Sequence, residues 1–305
     1  MAEFREVASG LQFPEGPIAM ADGSVLVVEI RRGTLTRIAP DGSKTIVAET
    51  GGGPNGAAIG PDGRVYVCNN GGFEWHELAG VAVPSGPAAD YAGGSVQAID
   101  IDSGRVETLY TECDGVRLCG PNDLVFDSTG GFWFTDHGKS RPRERDITGV
   151  FYARADGSEI REVIFPMDGP NGIGLSADED RLYVAETNPG RVWIFDIERP
   201  GVLAGSPNSP FERTLLAGLP GNQLLDSLAV DTAGNVCVGT LINGGVTVVS
   251  ADGSSIEHIA TDDPLTTNVC FGGPGLTTAY ITCSGTGRLL ATDWPRAGLQ
   301  LAYSG

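Results

Sequence analysis

Six short segments each set an oxygen-bearing side chain at the start of an apolar hairpin. They are Glu15 in FPEGP, Asn55 in GPNG, Asn122 in GPND, Asn171 in GPNG, Asp226 in LLDS and Asn268 in TTNV. A turn requirement explains any one of the asparagines, because Pro fixes φ and Asn or Asp tolerates a tight backbone. It explains less well a glutamate in the same register, or the absence of Gly and Ser from all six. No Lys, Arg, His or Cys occupies the position either. Should the six converge, two carboxylates and four amides would strand lone pairs away from water unless a cation took them up. Such donors are hard oxygens and suit Ca²⁺, Mg²⁺ or Mn²⁺, whereas Zn²⁺ more usually recruits His or Cys.

The repeat that carries these residues supplies a reason for them to converge. Starting at 13, 53, 120, 169, 224 and 266, the chain runs through a short strand, a turn of Asp-Gly or Gly-Gly type and a second apolar strand. A third strand, a Gly-rich turn and a fourth strand follow each time, as in GTLTRIAPDGSKTIVAE and GVFYARADGSEIREVIF. A unit of about 40 to 50 residues has the length of a propeller blade. The expected fold is all-β, a six-bladed β-propeller with four antiparallel strands per blade, as one domain over residues 1–305. The first strand of each blade then lines the central channel, and the six oxygen-bearing residues form a ring around its axis.

Antiparallel pairing returns each second strand to the face that bears the ring. Its end residues, Glu29 with Arg31, Asn69 with Asn70, Asp136 with His137, Glu186 with Asn188, and Thr240, are expected to form an outer rim. Asn55, Asn69, Asp136, His137, Glu186 and Asn268 are the expected substrate contacts, and His137 could also shuttle protons. Two insertions, residues 71–94 and GVLAGSPNSP in the fourth repeat, read as loops decorating one face. His76, beside Trp75 in the first of them, is placed for a lid; His258 reads as surface or structural. REVASGL and LQLAYSG both resemble the strand that would close the ring, and only one is needed.

Composition narrows the function classes. Glycine, 45 of 305 residues, is about twice its usual share of roughly 7% and sits in turn dipeptides. A formal charge of −19 argues against a polyanionic partner, so neither nucleic acid nor an anionic membrane is expected. No apolar stretch approaches the ~18 residues of a membrane helix. With no basic leader followed by an apolar run, a soluble, cytoplasmic protein is expected. Six cysteines without a C-x-x-C pair read as free, mostly buried thiols.

Taken together, FPEGP, GPND, GPNG and LLDSLAVD resemble the senescence-marker-protein, gluconolactonase and luciferin-regenerating-enzyme family over essentially the full length. The resemblance implies a propeller holding one catalytic divalent cation through Glu15, Asn122, Asn171 and Asp226. It implies hydrolysis of a small lactone, with Asp226 as ligand and as general base for the attacking water, or as nucleophile. Calcium is the expected ion, with Mg, Mn or Zn as alternatives. NDLVFDSTGGFWFTD and Asp226-Ser227 are most similar to gluconolactonase-like and drug-responsive lactonases, and the ligand set is shared with diisopropyl fluorophosphatase. A phosphotriesterase-like hydrolase or a lactone isomerase on the same ion is therefore the second reading. A non-catalytic binding propeller is the third. The chain departs from the animal sugar lactonases at Gly120, where they carry an Arg.

Overall fold

Local turn chemistry closes the hairpins. At Asp22-Gly23, Asp41-Gly42, Asp62-Gly63, Asp156-Gly157 and Asp252-Gly253 the carboxylate accepts the N–H two residues on, at 2.9–3.1 Å. The glycine between them takes φ of 71–81°, a region that a side chain would strain. The computed structural model describes residues 3–304 and joins these hairpins into six antiparallel sheets. Their inner strands are Pro14–Ala19, Pro54–Ile59, Pro121–Phe126, Pro170–Leu175, Leu224–Val230 and Thr266–Gly272. Each inner strand packs on that of the next blade, and the sixth returns to the first. The six-bladed propeller expected from the repeat is the observed fold.

Six hydrophobic clusters sit one at each junction between blades. Between blades two and three, Tyr66, Phe126, Phe132 and Phe134 interlock, and the cluster between three and four includes Trp133, edge-on to Tyr152 of its own blade at 5.0 Å, with Leu175 and Val184 of blade four. Burying each large apolar side chain contributes roughly 1.5–3 kcal/mol, so the inner strands have little freedom to shift. This packing is what aims the ring.

Ring closure is settled by the N-terminal segment. Arg5–Ala8 is the outermost strand of blade six, paired with Arg288–Asp293. Of LQLAYSG, residues 299–304 form no strand, and Gly305 lies outside the described residues. The alternating Leu299, Leu301 and Tyr303 line the apolar end of the central channel instead, Tyr303 resting on Phe126 with ring centroids 5.8 Å apart. Residues 71–94, expected as a loop, contain a hairpin of Phe73–Leu78 and Val81–Pro87. The fourth-repeat insertion contributes a short strand, Val202–Leu203, to its blade.

Every inner hairpin carries an irregularity at the same place. Pro121 pairs with Asp136 and Leu124 with Phe134, so Asn122 and Asp123 together face the single Thr135. The same two-against-one register recurs at Asn55-Gly56, Asn171-Gly172 and Asp226-Ser227, and one residue later at Gly16-Pro17. A bulge bends its strand and re-aims a side chain. In blade six Thr266 pairs with Cys283 and Asn268 with Thr282, which makes Thr267 the extra residue. By register the ring is therefore Glu15, Asn55, Asn122, Asn171, Asp226 and Thr267, and Asn268 lies one position further in.

Candidate functional site

Latches between neighbouring blades hold the ring backbone. Thr135 Oγ1 donates to Asn171 O and Thr187 Oγ1 to Leu225 O, both at 2.6 Å, and Ser284 Oγ donates to Pro14 O. Cys68 Sγ takes the same part towards Asp123 O at 3.8 Å. Each latch reaches from the second strand of one blade, or from the residue just after it, to the inner strand of the next, so a displaced ring residue would have to drag its neighbour. Glu15, Asn55, Asn122, Asn171 and Asp226 are all buried behind this belt.

Glu15 Oε2 accepts the Gly16 N–H at 2.7 Å and the Asn268 amide at 2.8 Å. The Asn171 amide nitrogen donates to Thr187 Oγ1 at 3.2 Å, fixing the nitrogen end of that side chain. Asn122 Oδ1 and Asn171 Oδ1 are buried with no donor at all. Leaving a buried acceptor unmet costs about 1–3 kcal/mol, and two such atoms at equivalent bulges of adjacent blades call for a common electrophile. Burial pushes the pKa of Glu15 up, and burial followed by the charge of Glu15 pushes that of Asp226 well above the carboxylate range. Two buried acids whose proton affinity is raised, beside two unmet amide oxygens, are a donor set that a divalent cation would satisfy. No group of three or more His, Cys, Asp or Glu in metal-holding geometry occurs among the described residues. Amide oxygens must therefore complete any ligand set here.

The expected substrate contacts divide. Asn55 stands in the ring. Asn268 stands beside it with both ends of its amide engaged, the nitrogen on Glu15 Oε2 and the oxygen on the Val269 N–H at 2.7 Å. The two bonds hold it against Glu15 and its own strand, so that it orients Glu15. Three of the four rim residues expected to contact substrate likewise have their acceptor oxygens engaged within their own blade. Asn69 Oδ1 accepts from Gly53 N and Gly71 N, and Asp136 accepts from Cys119, Gly120 and Gly138 N at 2.6–2.9 Å. Glu186 accepts from Asp168 N and Trp193 Nε1. Glu29 takes the Gln12 N–H in the same manner. In each of these blades the residue ending the second strand lies beside the segment leading into the first, and staples it. Among the rim residues expected to contact substrate, His137 is the one outside this pattern. Its Nε2 lies against Gly169, where a Cβ would come within 3.2 Å, and burial holds its pKa below the usual histidine value.

Sequence reasoning missed two buried ionisable groups. Asp123 occupies the inner bulge position, where three other blades have Gly16, Gly56 and Gly172. Burial and then the charge of Glu15 push its pKa up to about 8. A Cβ on Gly56 would meet its Oδ1 at 2.8 Å, so that glycine makes room for the acid. The available signal was a carboxylate standing where three repeats have none. Lys139 is 1% exposed, although DHGKSRPRERD reads as a solvated charge run. Nothing in the sequence marks it.

The ring adjoins a central channel that reaches Gly16, Asp123 and Asn268. Behind it the channel is apolar, lined by Ile18, Leu124, Ile173, Leu228 and Phe271, with the segment 299–304 across its far end. On the ring face the 73–87 hairpin of blade two leans on blades one and six. Trp75 meets Phe13 at 5.0 Å, Arg31 pairs with Glu77 and lies over Trp75, and Ala82 N donates to Gly285 O at 3.0 Å. His76 is exposed on this hairpin. His258 donates to or accepts from Thr247 Oγ1 within blade five, a structural position.

A family model described as SMP-30/Gluconolactonase/LRE-like region matches residues 13–285. A gluconolactonase of Zymomonas mobilis is 27% identical over 89% of this chain and 76% of its own. A lactonase drp35 of Staphylococcus saprophyticus is 30% identical over 82% of this chain and 70% of its own. Among solved structures, a calcium-binding regucalcin from Agrobacterium tumefaciens superposes with a TM-score of 0.74 at 16% identity, covering 98% of both chains.

Proposed function

The chain belongs to the SMP-30/Gluconolactonase/LRE-like family and is a lactone-hydrolysing enzyme, and we propose that it opens a small lactone with a divalent cation held by Glu15, Asn122, Asn171 and Asp226. The observation that carries the metal is the pair of donorless buried oxygens, Asn122 Oδ1 and Asn171 Oδ1, at equivalent bulges beside two acids. Calcium is the favoured ion, supported by the hard-oxygen donor set and by the calcium-binding regucalcin of the same fold. When bound, the cation supplies Lewis acidity to the lactone carbonyl.

The residues of the chain do the rest. Asp226 takes the proton of the attacking water as general base. Glu15 stays a ligand, because Asn268 and the Gly16 N–H hold its Oε2. Asn171 is fixed through Thr187 so that its oxygen stays towards the ring. Asn55 and His137 remain the proposed substrate contacts. The apolar channel behind the ring keeps bulk water from the rear of the site. A reducing, cytosolic location is proposed as well, supported by the absence of disulfides among the six cysteines.

Asp226→Asn tests the base. It keeps the shape of the side chain and removes its proton affinity, so turnover at saturating calcium should fall by about 10²–10⁴ while calcium still binds. Wild-type turnover in the metal-loaded variant would remove Asp226 from the chemistry.

A further inference from the structure

Lys139 is the most deeply buried cationic side chain among the described residues, at 1% exposure. Its surroundings come from another blade. The ammonium donates to Asn70 Oδ1 at 3.0 Å and to Gly72 O at 2.8 Å. It lies 3.6 Å from the ring centroid of Phe73 and 5.4 Å from that of Tyr91. Asn70, Gly72 and Phe73 lead into the 73–87 hairpin, and Tyr91 follows it. One charge therefore touches both feet of the insertion.

The other end of the lysine is equally fixed. Its backbone N–H donates to Asp146 Oδ2 at 3.0 Å, and Arg141 pairs with the same carboxylate at 2.8 Å. Tyr91 adds a bond from its hydroxyl to Cys119 O at 2.5 Å, again onto blade three. Burial pushes the lysine down to about 7, against the pull of Asp136 and Asp146. Taking an ammonium out of water is costly unless oxygens and π-faces replace its hydration. Here the replacements come from the insertion and from Asn70, the residue that leads into it. Straightening or releasing the hairpin would strip them from the charge.

The insertion reaches the ring from that anchor. Trp75 packs on Phe13, two residues before Glu15, and Ala82 is bonded to Gly285 of blade six. We propose that Lys139 is a positioning residue that clamps both feet of the 71–94 insertion to blade three, and that the clamped hairpin sets which lactones reach the ring by their size. The selectivity half of this inference rests on the lactonase reading above; the clamp does not.

Lys139→Met and Phe73→Leu separate the possibilities. The first removes the charge, and the second keeps an apolar side chain on blade two but takes away the π-face, so it preserves the test should the first misfold. Hydrogen exchange over residues 70–94, bound calcium, and kcat and KM for a compact five-membered and a bulky substituted lactone are measured for each. The expected result is exchange faster by about tenfold in that segment, unchanged calcium content, and a ratio of kcat/KM between the two lactones shifted about tenfold through KM. Wild-type exchange in both variants overturns the clamp. Accelerated exchange with equal loss on both lactones overturns the selectivity role. If the wild type opens neither lactone the lactonase reading fails, and the exchange measurement alone still decides the clamp.

Discussion

Asn122 shows how much of the site depends on single atoms. Its Oδ1 is buried and accepts nothing, so in the metal-free protein it is a liability of about 1–3 kcal/mol. Asn122→Leu removes that unmet oxygen at similar volume. The chelated variant should be more stable than chelated wild type, by about 1 kcal/mol, and added calcium should raise the melting temperature of the wild type but not that of the variant. Thermal unfolding with and without calcium checks both halves. A variant that is less stable when chelated, yet still stabilised by calcium as wild type is, would place the oxygen outside the ion site. The residue types were legible before the fold was known, since Glu15, Asn122, Asn171 and Asp226 stand in repeated motifs. Asn268 was misplaced because asparagine was matched to asparagine. The extra residue in that strand is Thr267, and TTNV has no proline to mark where the bulge begins.

At the scale of the strand pair, the bulge and the staple divide the work. Two residues opposite one turn a side chain towards the axis, and the last residue of the second strand ties down the segment leading into the first. Asn69, Asp136 and Glu186 look like a polar rim in sequence because they end apolar strands on the ring face. Their lone pairs go to N–H groups of their own blade, backbone ones and, for Glu186, also the Trp193 indole. Strand alternation carries no information about that choice, which depends on where the preceding segment passes. Asp136→Ala should therefore lower stability by about 3 kcal/mol, the sum expected for orphaning several N–H groups, with KM within about twofold of wild type. Urea unfolding and steady-state kinetics on the same preparation check it. Unchanged stability with a large rise in KM would return Asp136 to the substrate.

At the scale of the whole molecule, six hairpins of one kind predicted six blades, and the fold followed because the period of the repeat is the length of a blade. The closing strand was not legible. Both ends of the chain alternate apolar and polar residues, but the N-terminal end does so in a sheet and the C-terminal end against the channel wall. Lys139 was hidden for a similar reason, since its partners lie about 70 residues away on the neighbouring blade. The ring, in contrast, requires the closed molecule, for its oxygens come from different blades and converge only when the sixth blade meets the first. The central claim is that these oxygens hold one catalytic cation. It is tested most directly by measuring lactone turnover on a protein stripped by chelator, with its metal content determined by atomic emission, before and after calcium is restored. Turnover lost with the ion and regained at one calcium per chain is the predicted result, and full turnover in demonstrably metal-free protein would contradict it.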